Sequence, residues 1–139
     1  MTNEFDLMGL RQELVQTLIE RGYNAPTPIQ SELIPALLAG RDVIGQSQTG
    51  SGKTAAFGLP ILQTLQAGQR HVQSLIIAPT RELAIQVAEA MAQYGRRVRV
   101  NLAACGGTFS TGLTGLNIEH SSPVHFLHLS FTLLNRGYV

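Results

Sequence analysis

Gly45-Gln46-Ser47-Gln48-Thr49-Gly50-Ser51-Gly52-Lys53-Thr54 is the stretch that decides how this chain is read. It follows the apolar run Val43-Ile44 and leads into Ala55-Ala56-Phe57, so it reads as a strand, a glycine-rich turn and the start of a helix. A polyphosphate needs that context. Glycines let the backbone curl until successive N–H groups point inward, and the following helix adds the positive end of its dipole. Lys53 is placed to reach the outer phosphates, and the Thr54 hydroxyl to ligate Mg²⁺. Lys53 is also the only lysine in the chain. A strict G-x-x-x-x-G-K-[ST] pattern has glycine at position 47, where this chain has Ser47. The plain alternative is a Gly/Ser linker that contains Lys-Thr by chance. The flanking strand and helix favour a phosphate-binding loop formed by Ser47, Gln48, Thr49, Gly50, Ser51, Gly52, Lys53 and Thr54.

Working outward, the upstream residues form two amphipathic patterns. Leu10, Leu14 and Leu18, with Val15 and Ile19, share one helical face, and Gly22 ends that helix near residue 21. Thr27 then caps a second helix with Pro28 in its first turn, running through Ile29, Leu33, Ile34, Leu37 and Leu38 to Gly40. Pro35 lies inside it, where a bend or a tertiary contact is expected. Downstream, a third helix carries Phe57, Leu59, Ile61, Leu62 and Leu65 and ends at Gly68, with Pro60 interrupting it.

Leu75-Ile76-Ile77-Ala78 is a short continuous apolar run, as in a strand buried on both faces. Thr80 caps a helix from Arg81 to Tyr94, with Leu83, Val87 and Ala90 inward and Gly95 closing it. Val98, Val100 and Leu102 alternate with Arg99 and Asn101 and lead through Cys105 to Gly106-Gly107 as a third strand. Strands and helices in this rhythm imply an α/β fold, a parallel sheet with helices on both faces. Beyond Gly107 the character changes. From Val100 to Asn135, Glu119 is the only formal charge, and His125-Phe126-Leu127-His128-Leu129 is a weakly patterned apolar run.

With 139 residues and 44% hydrophobic content, the chain can bury one core. A net charge of +1 gives no field that argues for nucleic acid by itself, so a basic site has to arise locally. Arg96, Arg97 and Arg99 are the densest basic cluster and read as a solvated face. No uncharged apolar run reaches the ~18 residues of a membrane span, and the acidic start carries no leader signal. A cytoplasmic protein without membrane contact is expected. The single cysteine, Cys105, forms no internal disulfide, and the four histidines do not suggest a metal site.

Taken together, Gly22-Tyr23-Asn24-Ala25-Pro26-Thr27-Pro28-Ile29-Gln30, the phosphate loop, Pro79-Thr80-Arg81-Glu82-Leu83-Ala84 and Gly106-Gly107 resemble the N-terminal part of a DEAD-box ATP-dependent RNA helicase. The similarity runs from about Phe5 to Thr108 and implies a partial RecA-like P-loop domain over residues 1–108, with residues 109–139 as a tail unlike the family. It implies ATP and Mg²⁺ as ligands. Gln30 then resembles the adenine-reading glutamine, its amide offering one donor and one acceptor to the base. Without its neighbours it would read as a solvent-facing residue. Phe5 resembles the upstream aromatic that stacks on the base, and reads equally well as a core anchor for the first helix. Tyr23 and Thr27 are expected to hold the loop between them in shape. Pro79, Thr80 and Arg81 resemble the motif that meets the RNA backbone, where a helix start and a guanidinium both suit a phosphate. Gly106 and Gly107 resemble the pair that lets the strand approach the main chain. Such contacts carry no base identity.

Hydrolysis requires more. An acidic residue at a strand end must help hold Mg²⁺, and another group must position the attacking water. The chain has two aspartates, Asp6 and Asp42, and neither is so placed; Asp-Glu-Ala-Asp, Ser-Ala-Thr and a second lobe are all missing. The expectation is a truncated helicase lobe that binds ATP-Mg and RNA without hydrolysis on its own. The alternative is a non-catalytic RNA-binding or interaction module.

Overall fold

The computed structural model describes residues 3–69, 71–102 and 125–128. The first helix, α1, spans Gln12–Glu20 and buries Leu14, Val15 and Leu18. Thr17 is buried beside them, and its hydroxyl donates to the Glu13 carbonyl at 2.8 Å, so no polar atom is left unpaired there. The helix starts two residues later than its apolar pattern suggests because Arg11 is engaged elsewhere. The Arg11 backbone N–H donates to Gln63 Oε1 at 2.7 Å, and its guanidinium donates to the Gln63 and Leu65 carbonyls. A cation among the last carbonyls of a helix suits both its orphan acceptors and its dipole.

Helix α2 covers Pro28–Leu38 and contains Pro35 without ending at it. Pro35 is exposed, while Ile34 is fully buried and Ala36 nearly so. Helix α3, Lys53–Thr64, is the central element: Ala55, Ala56, Phe57, Gly58, Leu59, Pro60 and Leu62 are all buried. It stops at Thr64, short of Gly68, because the chain at Leu65 turns extended. A reciprocal amide pair then redirects it, Gln73 accepting from the Gln66 N–H at 2.8 Å and donating to the Gln66 carbonyl at 2.9 Å. Helix α4 spans Arg81–Tyr94, capped at its start by Thr80 Oγ1, which accepts from the Leu83 N–H at 3.2 Å. α4 packs over Gly58 of α3, with Met91 at ordinary contact distance from where a Cβ would stand.

The helices share one core, in which Phe5, Leu14, Leu18, Ile34, Leu59 and Leu62 are completely buried. Each such side chain contributes about 1.5–3 kcal/mol relative to an exposed one. Glu20 at the end of α1 pairs with Arg97 at 2.5 Å and with Arg96, tying α1 to the end of α4. Two arginines of the basic cluster are therefore engaged within the fold. The groups are part-exposed, and a pair of this kind adds at most about 1 kcal/mol.

The sheet departs from expectation. Strand β1, Ser74–Ile77, pairs in parallel with strand β2, His125–His128, in the register Ser74↔His125 to Ile77↔His128. Parallel pairing agrees with the sequence rhythm, and the run at 125–128, unassigned by pattern, supplies the second strand. Among the described residues, however, neither Val43-Ile44 nor Val98–Leu102 joins a ladder, and Val98 sits in a bend closed by its N–H on the Gly95 carbonyl, so the expected sheet with helices on both faces is not formed there. A strand needs a neighbouring strand for its N–H and C=O groups; neither segment has one among the described residues, and Val98 and Val100 bond in local turns while packing on the core. Ile44 is accordingly fully exposed. β1 itself is half-buried where burial on both faces was expected. Gly106, Gly107, Cys105 and most of 109–139 lie outside the described residues. No helix among the described residues is long and apolar enough to cross a membrane.

Candidate phosphate-binding site

The loop between α2 and α3 is shaped by two glycines. Gly50 has φ +80° and Gly52, the N-cap of α3, has φ +85°, a region where a side chain costs about 1–2 kcal/mol. No residue other than glycine takes a positive φ among the described residues, so Ser47 occupies ordinary backbone and its departure from the strict motif causes no strain. Its hydroxyl instead bonds the Ser51 hydroxyl across the loop at 2.5 Å.

Lys53 opens α3 and turns its ammonium back over the loop. Nζ donates to the Ser47 carbonyl at 2.6 Å and the Gln48 carbonyl at 2.5 Å. A cation held among loop carbonyls, beside the N–H groups of a helix start, gathers positive potential at one point. That is the electrostatic requirement of an anionic ligand. Thr54 follows in the first turn of α3, half-buried.

Gln30 lies beside this loop and is completely buried, contrary to the solvent-facing alternative. Its Oε1 accepts from the Thr27 N–H at 3.0 Å, and its Nε2 donates to the Gly52 carbonyl at 3.1 Å. Thr27 completes the connection, its hydroxyl donating to the Ser51 carbonyl at 2.9 Å. Two side chains from the start of α2 thus grip the two residues that precede Lys53. The approach is close: a Cβ on Gly52 would lie 2.4 Å from Gln30 Nε2.

Tyr23 lies at the other end of the same turn. Its hydroxyl and that of Tyr94 are 3.1 Å apart, with the rings edge-to-face at 6.1 Å between centroids. The Arg21 guanidinium sits 5.8 Å from the Tyr94 ring centre. Burial, reinforced by the Tyr23 hydroxyl, pushes the Tyr94 phenol well above its usual pKa, so it stays protonated. Tyr94 carried no signal in the sequence beyond ending a helix, because its partner is 71 residues away. Arg11 and Gln63 escaped notice for the same reason.

Phe5 is fully buried in the common core, the position of an anchor. Thr80 caps α4, and Arg81 beside it is exposed. The ion pairs among the described residues are those of Glu20 with Arg96 and Arg97, and Arg81 takes part in neither. Asp42 is exposed, and no cluster of three or more potential metal ligands exists among the described residues.

A profile of DEAD/DEAH box helicase domains matches residues 27–127. The chain belongs to the DEAD/DEAH box helicase family. It is 54% identical over 101 residues to the ATP-dependent RNA helicase DeaD of Escherichia coli K12, a match covering 72% of the chain and 16% of that protein. It is 50% identical over 98 residues to the DEAD-box ATP-dependent RNA helicase CshA of Bacillus cereus, covering 70% of the chain and 19% of the relative. The chain thus spans less than a fifth of the length of these curated relatives. Among solved structures, S. cerevisiae Dbp5 bound to RNA and ADP BeF3 superposes with a TM-score of 0.66 at 37% identity, over 69% of this chain and 25% of that one. The RNA helicase Prp28 from Chaetomium thermophilum bound to ADP gives 0.68 at 32% identity, over 92% of the chain and 32% of its own. The structural neighbours of this chain are thus helicase domains, each matched over a third of its length or less.

Proposed function

We propose that this DEAD/DEAH box chain is a partial RecA-like lobe that binds ATP with Mg²⁺ and the backbone of RNA, without turning ATP over by itself. The observation that carries the reading is the loop with left-handed Gly50 and Gly52 closed by the Lys53 ammonium. The residues fit the ligand. N–H groups at the start of α3 and Lys53 would hold the phosphates, Thr54 would offer its hydroxyl to a phosphate-borne Mg²⁺, and Gln30, fully buried with its amide on Thr27 and Gly52, would turn outward to read the adenine edge. Bound Mg²⁺ would neutralise phosphate charge. Ser47, Gln48, Thr49 and Ser51 line the loop, while Tyr23 and Thr27 hold the turn beside it. Base stacking by Phe5 requires its ring to leave the core.

On the RNA side, Pro79, Thr80 and Arg81 present a helix start and an exposed guanidinium, and Gly106 and Gly107 would lie along the same strand of RNA. The Dbp5 structure that this chain matches is bound to RNA and ADP BeF3, which supports both ligands. Catalysis is a different matter, since Asp6 and Asp42 are the chain's only aspartates and neither lies in the loop. Residues 1–108 are the body of the lobe and residues 109–139 its tail, whose β2 pairs with β1 within the family match to residue 127, and the setting is cytoplasmic. Titration of the purified chain with a fluorescent ATP analogue, beside an ATPase assay, tests this. Binding weakened by Lys53→Ala without hydrolysis supports it; hydrolysis lost on Lys53→Ala overturns the inactive assignment.

The exposure of Arg81 favours a second reading, a non-catalytic RNA-binding module. Salt-dependent binding of single-stranded RNA without nucleotide, lost on Arg81→Ala, distinguishes it.

A further inference from the structure

The start of α2 is held at two ends. At one, Thr27 and Gln30 bond the carbonyls of Ser51 and Gly52. At the other, the turn leaving α1 is pinned through Tyr23. Gly22, at φ +79°, donates its N–H to the Ile19 carbonyl, and the Tyr23 N–H donates to the Leu18 carbonyl at 2.9 Å, which fixes where the tyrosine emerges. Only residues 24–26 separate it from Thr27. What meets Tyr23 is the last residue of α4, Tyr94, 7% exposed and packed against the core.

We infer that Tyr94 is a positioning residue of the nucleotide site: by holding Tyr23 through its hydroxyl and ring, it fixes the turn that carries Thr27 and Gln30 against the phosphate loop. The inference rests on the reading of that loop as a nucleotide site and deepens it. The end of α4 becomes part of the base-recognition side, though it touches no ligand. Three features make the hydroxyl pair suited to this. It joins segments far apart in sequence, so neither local turn can replace it. The edge-to-face rings give it a preferred orientation. Burial moves the Tyr94 phenol further from ionisation, so it stays protonated and either hydroxyl can donate in the pair. Inorganic triphosphate touches only the loop, whereas an adenine nucleotide also needs Gln30. Loosening the turn therefore separates the two ligands.

The experiment titrates ADP and inorganic triphosphate, each with Mg²⁺, into the unaltered chain, Tyr94→Phe, Tyr23→Phe and the double variant, with thermal melts confirming that each folds. Phenylalanine keeps the ring and removes only the hydroxyl. The expected result is a three- to tenfold loss of ADP affinity in either single variant, no larger loss in the double, and triphosphate binding unchanged within twofold. Equal losses for both ligands, or no loss for ADP, overturn the inference, as do additive losses in the double variant. Failure of the unaltered chain to bind either ligand overturns the nucleotide-site reading itself. Equal binding of both ligands by the unaltered chain overturns the role of Gln30 and this inference together.

Discussion

The helical side and the strand side of this chain were built from equally apolar sequence and ended differently. On the helical side, Leu14, Leu18, Ile34, Leu59 and Leu62 are all completely buried. On the strand side, Ile44 stands fully in solvent and β1 is only half-buried. A helix satisfies its backbone within itself and asks its neighbours only for an apolar face. A strand asks for a partner before its side chains can be covered. Four helices can therefore assemble a core from a partial lobe while the segments Val43-Ile44 and Val98–Leu102 join no ladder among the described residues. The phosphate loop joins these sides, with the bare segment 41–48 before it and α3 after it. It keeps its shape because the grips on it, from Thr27, Gln30 and Lys53, all come from the helical side.

That contrast can be broken in several ways, beginning with the largest effect. Leu18→Ala should cost about 2–5 kcal/mol, read as a lower urea midpoint with an unchanged slope. A cost below about 1 kcal/mol would mean that the helical side is not the stabilising half. Lys53→Ala should remove a charge-assisted contact of about 1.5–3 kcal/mol to the phosphates, weakening ATP some ten- to a hundredfold. Its melting temperature should barely move, because Nζ bonds only loop carbonyls.

Gly52→Ala should cost about 1–2 kcal/mol from its left-handed backbone alone, and more as the new Cβ displaces Gln30. Gly40→Ala is the comparison, with φ +74° and open space around it. Equal losses in the two would show that Gln30 moves aside freely. The Tyr94 phenol supplies a pH test. Its pKa is raised in the fold, so above about pH 10 the unfolded chain ionises first and binds fewer protons, and stability falls as pH rises. The contribution is complete below that pH, and a Tyr94→Phe difference curve should isolate it. Smallest of all, Ile44→Ser should change stability by less than about 0.5 kcal/mol, since the side chain touches nothing. A loss above about 2 kcal/mol would mean that segment 41–48 is covered in solution.

What the sequence determined by itself was whatever local chemistry controls. Thr80 and Gly95 bound α4, and Thr27 and Pro28 start α2, because caps act within a few residues. The loop was legible for the same reason: only glycine takes the backbone at positions 50 and 52, and Lys53 reaches back across a single turn. The tertiary structure alone decided everything that needs two distant segments to meet. It placed Phe5 in the core, turned Gln30 inward onto Gly52, delayed α1 by recruiting Arg11 to the end of α3, and set Tyr94 beside Tyr23. It also left Val43-Ile44 without a ladder, although its residues favour a strand. Periodicity can report which side of a segment is apolar, but the partner that covers it is chosen by the folded chain.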